Sequence, residues 1–196
     1  MKDFGHSHNR FKGILLNQNY SNVSGNEAQS FIDKHKEAVI KSTQGTGLFP
    51  SVVMAQMIIE SSWGQGKTVK DANNYFGIKA DTSWKGQKKL FNTPNDAVKQ
   101  NYFRVYPTAK DSLVDHNRFL VVNPRYPKAG VFSSTTPEEQ IKAIAKAGYA
   151  EAGNYANMVI DLINKYKLKE LDGMQGYKAI GAIRRNKVLT VVVTAT

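Results

Sequence analysis

The 196-residue chain contains no cysteine. Disulfides, thiolate metal sites and a thiol nucleophile are therefore excluded. The redox compartment stays open, because a chain of this length buries a real core without covalent staples. Acidic residues are few beside basic ones, 16 against 27, which leaves a formal net charge of +11. Long apolar runs are missing as well. The longest near the N-terminus is Ile14 to Leu16, too short for the core of a secretory leader, and no stretch approaches the roughly 20 residues of a membrane-spanning helix. There is no glycine-rich phosphate loop and no Gly-x-Ser-x-Gly elbow, so neither a nucleotide-phosphate cradle nor a serine-hydrolase turn is expected. His6 and His8 lie in a polar stretch with only Asp3 as an acidic neighbour. No metal site and no cofactor is expected.

What is present is a soluble globular composition with an excess of positive charge. Such a charge suits any extended anionic partner: nucleic acid, a membrane surface or an anionic cell wall. The basic residues are spread along the chain without a run of five, so a disordered basic arm is not expected. A nucleic-acid reading would rest on charge alone, since no reader motif supports it.

Residues 1–25 read as a polar extension, 26–172 as one domain, and 173–196 as a second extension. Ser24 to Glu27 is a capping box. Phe31, Ile32, His35, Ala38 and Val39 then recur at helical spacing to about Ser42. Pro50 suits the first turn of the next helix. Ser51 to Ile59 is apolar except for Ser51 and Gln56, the mark of a helix at the centre of a domain. Between about Tyr75 and Tyr106 the pattern turns strand-like and predicts a small hairpin that includes Trp84. Helices are predicted over Ala109 to Val122, from Thr136 to about Lys146, and over Met158 to Lys167, with Asn123 to Pro127 a stop and Gly148 to Tyr155 a loop. Val188 to Val193 has high strand propensity and is expected to pair with another part of the chain, another copy or an assembly partner.

Glu60 is the carboxylate best placed for chemistry. It closes the apolar run, with Trp63 three residues on as a wall of its pocket. Desolvation disfavours a carboxylate's charge, and a general acid must hold its proton near neutral pH. Gln56 lies one helical turn before Glu60 and is expected to hydrogen-bond to it.

Met54-Ala-Gln-Met-Ile-Ile-Glu-Ser-Ser-Trp-Gly64 resembles the catalytic helix of the endo-β-N-acetylglucosaminidases of glycoside hydrolase family 73, found in flagellar rod-cap proteins, autolysins and phage lysins. Asn74-Tyr-Phe-Gly-Ile-Lys79, Trp84-Lys-Gly86, Phe103-Arg-Val-Tyr106, Asp111-Ser-Leu-Val-Asp-His116, Asn123-Pro-Arg-Tyr126 and Gly148-Tyr-Ala150 with Tyr155-Ala156 continue the likeness in family order. The resemblance implies an α+β, mainly α fold: a lysozyme-like helical body with a small β-hairpin flap over the substrate groove. It implies peptidoglycan glycan strands as substrate, cleaved at the GlcNAc–MurNAc β-1,4 bond. Glu60 takes the general-acid position and Tyr149 that of a tyrosine beside the reaction centre. Phe76, Tyr126 and Tyr155 match aromatic positions near the groove, where rings suit sugar faces; a plain core position is an equal reading for each and the better one for Phe76. His116 is read as a structural histidine. Where relatives carry a second flap carboxylate, this chain has Asn95 with Asp96 beside it, and Asp96 is the candidate substitute. The substrate's own acetamido group is the other route.

Two other readings stay open: a lytic transglycosylase or muramidase on the same polymer, and a non-catalytic virion or flagellar assembly module that keeps the fold. Without a leader in these residues, delivery by a phage, as endolysin or virion enzyme, is expected, or else removal of a leader.

Overall fold

The computed structural model describes residues 23–91, 101–150 and 153–173. His6, His8, Asn95, Asp96 and the Val188 to Val193 run lie outside the described residues.

Helix α1 (Gly25–Thr43) begins at a reciprocal cap. The Ser24 hydroxyl accepts from the Glu27 N–H at 3.3 Å, and the Ser24 N–H donates to Glu27 Oε2 at 2.9 Å. The cap satisfies amide donors that have no partner within the helix, and the periodic face of Ala28, Phe31, Ile32, His35 and Val39 is buried. Helix α2 (Pro50–Ser61) follows, with every residue buried except Glu60. Its N-terminus is tied down from the far end of the domain. The Asp172 carboxylate accepts from the Ser51 N–H at 2.8 Å and from its hydroxyl at 2.7 Å. Gln140 Oε1 accepts from the Phe49 N–H at 2.7 Å.

After Glu60 the chain turns abruptly. Ser62, Trp63 and Gly64 are all left-handed, with φ of 48°, 57° and 76°. Side chains disfavour that region, and packing holds it here: Trp63 is wedged edge-on between Phe31 and Tyr166, with ring centroids 5.6 Å and 5.1 Å away. The Ser61 hydroxyl accepts from the Gly64 N–H at 2.9 Å.

A short helix α3 (Lys67–Ala72) leads into the hairpin. Its single turn or so of helix carries too little periodicity to be read from sequence. Strands β1 (Lys88–Phe91) and β2 (Asn101–Arg104) pair antiparallel with Leu90 opposite Tyr102, and Lys79 bridges Phe103. Ala72, Phe91 and Phe103 form a small core beneath them. Buried Asn74 pins the hairpin base, donating to the carbonyls of Ile78 and Arg104 and accepting from the Ile78 N–H. Arg104 lies over the Trp84 ring and pairs with Asp115 at 2.8 Å. Since Asp115 belongs to the next helix, the hairpin is fastened to the body.

Helix α4 (Ala109–Val122) starts at a Thr108–Asp111 capping box. The expected stop at Asn123 to Pro127 instead contains one helical turn, α5 (Arg125–Lys128), because Pro124 and Pro127 suit a turn's backbone as well as they end a longer helix. A 3₁₀ turn (Val131–Ser133), α6 (Pro137–Lys146), α7 (Tyr155–Lys165) and a last 3₁₀ turn (Leu168–Gly173) complete the body. Helix α7 begins at Tyr155 rather than Met158, so Tyr155 is held on a helix and not in a loop. The main core surrounds α2. Among the described residues no helix is long and apolar enough to cross a membrane.

Candidate active site

The site is built on the last turn of α2. Glu60 is half-buried there, at the end of a helix whose other residues are all buried. The Tyr155 hydroxyl donates to Glu60 Oε1 at 3.0 Å. Buried Gln56 does not reach Glu60 directly, as its helical spacing led one to expect, but through this phenol: its Nε2 donates to the Tyr155 oxygen at 3.2 Å. Gln56 Oε1 is buried with no hydrogen-bond partner.

Tyr149 stands beside Tyr155, with ring centroids 5.6 Å apart. It is delivered by the end of α6, where Gly148 adopts φ of +79° and the Tyr149 N–H bonds back to the Ile144 carbonyl at 3.2 Å. This is the left-handed close that glycine favours. Burial, and after it the Glu60 carboxylate nearby, pushes both phenols well above their ordinary range, so they remain neutral O–H groups.

Behind Tyr149 lies His116, fully buried on α4. Its Nε2 is 3.1 Å from the Tyr149 hydroxyl and its Nδ1 3.1 Å from Asn117 Oδ1. Phe76 stacks on the imidazole at 3.8 Å with the planes 15° apart. Burial lowers the His116 pKa to about 4 against the weaker opposing pulls of Asn117 and Asp115, so the ring is neutral. Tyr126 packs 6.4 Å from Tyr149 and takes a hydrogen bond from the Arg125 guanidinium, which also lies over its ring.

Glu60, Gln56 and Tyr155 are thus one hydrogen-bonded chain, with Tyr149 and Tyr126 as neighbouring rings and Phe76 joined through His116. Trp63 packs between α1 and Tyr166. Phe76, Trp63, Tyr126 and Tyr155 are each at most 6% exposed, so their rings back the site and offer almost no open face. Asp96 is outside the described residues. The sequence pattern singled out neither Asn117 nor Arg125 and gave His116 only a structural part. Nothing in its local pattern places His116, on α4, against a tyrosine 33 residues away. Among the described residues no group of three or more His, Asp or Glu could hold a metal ion. Among the described residues the arrangement offers one carboxyl group, Glu60, with a neutral phenol donating to it and a second neutral phenol, Tyr149, close enough to feel its charge.

Residues 36–168 match the model of the glucosaminidase family, described as mannosyl-glycoprotein endo-beta-N-acetylglucosaminidase. The chain belongs to this glycoside hydrolase family. Among glucosaminidase-family relatives, the peptidoglycan hydrolase FlgJ of Vibrio parahaemolyticus is 36% identical over 162 residues, covering 78% of this chain and 52% of its own length. The exo-glucosaminidase LytG of Bacillus subtilis is 30% identical over 159 residues, covering 74% of this chain and 54% of its own. The chain spans about half the length of the curated relatives it matches. The glycoside hydrolase domain of Salmonella typhimurium FlgJ superposes with a TM-score of 0.62 at 29% identity, covering 80% of this chain and 98% of that one. The fold is therefore the lysozyme-like one of the glucosaminidase family: a mainly helical body with a small two-stranded antiparallel sheet.

Proposed function

We propose that this domain hydrolyses the glycan strand of peptidoglycan at the GlcNAc–MurNAc β-1,4 bond, with Glu60 as general acid. The observation that carries the reading is Glu60 itself: the one residue of α2 left unburied, with its carboxyl gripped by Tyr155. With Oε1 accepting from Tyr155, the transferable proton rides on the other carboxyl oxygen. It passes to the bridging glycosidic oxygen as the C1–O bond opens, and water adds at C1 and gives up a proton to a base. Tyr149 is proposed to stand beside the reacting centre as a neutral phenol. Tyr126, Tyr155, Phe76, Trp63 and Gln56 are proposed to shape the substrate site from behind it.

Asp96 is proposed as the second carboxylate. Loss of activity in folded Asp96→Asn supports that role, whereas full activity passes it to the substrate's acetamido group. The anomeric form of the first product then reports inversion or retention.

The test of the main reading is digestion of purified peptidoglycan by the wild type and Glu60→Gln, with new ends identified by mass spectrometry. Reducing GlcNAc from the wild type and collapse in the variant are expected. Reducing or anhydro MurNAc moves the reading to a muramidase or a lytic transglycosylase. No cleavage by the wild type favours an assembly module. A virion-borne role, with a partner for the Val188 to Val193 run, is a separate proposal. The relatives named above are bacterial and lend it no support. Finding the chain in purified virions is its test.

A further inference from the structure

The hydrogen bonds behind Tyr149 have a direction that can be assigned link by link. The Ser42 hydroxyl donates to the Val39 carbonyl at 3.0 Å, so its oxygen is an acceptor to others. Asn117 Nδ2 lies 3.0 Å from that oxygen and 3.0 Å from the Ser42 carbonyl, which can only accept. Two acceptors fix the amide's orientation and leave Oδ1 facing His116. An amide oxygen has no proton to give, so the hydrogen between it and His116 sits on Nδ1. In a neutral imidazole the other nitrogen, Nε2, is then a bare lone pair. The group in front of that lone pair, at 3.1 Å, is the Tyr149 hydroxyl, which must donate to it.

We propose that His116 is a positioning residue for the reaction: it draws the Tyr149 proton inward and leaves the phenolic oxygen an acceptor for an N–H or O–H donor of the reacting pair beside Glu60. This rests on the proposed role of Tyr149 and adds what fixes its polarity. Neutrality of the imidazole is required, and burial against Phe76 supplies it. Three consecutive links, ending on the backbone of α1, define a direction that a merely space-filling histidine would not need.

The test is a double-mutant cycle between His116 and Tyr149, read as kcat on soluble glycan strands. His116→Phe keeps a ring against Phe76 but offers no acceptor. It is expected to lower kcat roughly tenfold with KM little changed, the scale of one hydrogen bond that matters in the transition state. In a Tyr149→Phe background the same substitution is expected to add nothing. His116→Gln, whose amide oxygen can accept, should restore much of the rate. Equal losses in both backgrounds, or full kcat in folded His116→Phe, would overturn the proposal. Nitrogen NMR of the wild-type histidine rings decides the question even where a variant fails to fold: an Nδ1–H tautomer at His116 is expected, and an Nε2–H tautomer sinks the idea. Failure of the underlying reading looks different, because Tyr149→Phe or Glu60→Gln alone would then leave cleavage intact.

Discussion

The Tyr155 hydroxyl and the Glu60 carboxyl, 95 residues apart in sequence, meet at 3.0 Å. A neutral phenol donating to a carboxyl oxygen orients the group, and under the proposed general-acid role it leaves the mobile proton to the other oxygen. Gln56, donating to the same phenol from one turn below, completes the alignment.

Removing that donor should slow the reaction without unfolding the domain. Tyr155→Phe is expected to reduce kcat about tenfold and to cost about 1 kcal/mol of stability, the scale of one buried hydrogen bond. Glu60→Gln should lose about 100-fold or more, as for loss of a general acid. Kinetics and thermal unfolding on the same samples separate the two effects. A Tyr155→Phe enzyme with wild-type kcat would contradict the alignment.

Gln56 separates rate from stability differently. Because its Oε1 already lacks a partner in a fully buried position, an apolar replacement of similar length removes an unsatisfied group along with a useful one. Gln56→Met is therefore expected to stay within about 1 kcal/mol of wild-type stability while kcat drops several-fold. Denaturant midpoints measured beside kcat check both halves, and a strongly destabilised variant would mean that the amide is satisfied in solution.

The turn after Glu60 should be intolerant of a side chain at its third position. Gly64 has φ of +76°, and an added Cβ would sit 3.2 Å from Phe31 Cε2. Gly64→Ala is expected to cost about 1–2 kcal/mol, read as a lower unfolding midpoint. An unchanged midpoint would mean that the turn relaxes freely.

Buried histidines set an acid limit on stability. Burial holds His35 and His116 at about 4, below their ordinary 6.5. The unfolded chain therefore binds more protons across that window. The stability they confer is complete above about 6.5 and is lost as the pH falls towards and through about 4. Asp172 runs the other way. Burial raises it to about 6 from 3.8, against the pull of the Ser51 donors, so its contribution is present below about 3.8 and is lost as the pH rises through about 6. Asp172→Asn keeps an acceptor for the Ser51 N–H without a charge. Relative to the wild type it is expected to gain stability as the pH rises from about 4 to about 6, with little further change above about 7. Urea midpoints across that range test this, and parallel curves for the two proteins would count against it.

What the sequence determined by itself was whatever depends on neighbours along the chain. The apolar run from Ser51 to Ile59 made α2 central, Pro50 and the Ser24–Glu27 box set helix starts, and Glu60 stood out as a carboxyl at the end of an apolar helix. The ordered motifs pointed to the family. The tertiary structure alone decided what those residues touch. Gln56 and Glu60 communicate through a phenol from α7, Asp172 closes the N-terminus of α2 from 121 residues away, His116 meets the Tyr149 hydroxyl, and Trp63 packs edge-on between Phe31 and Tyr166. The division has a physical cause. Helical periodicity and capping arise from groups a few residues apart and leave a repeating trace in the sequence. A hydrogen bond between distant side chains leaves none until packing brings donor and acceptor to within about 3 Å.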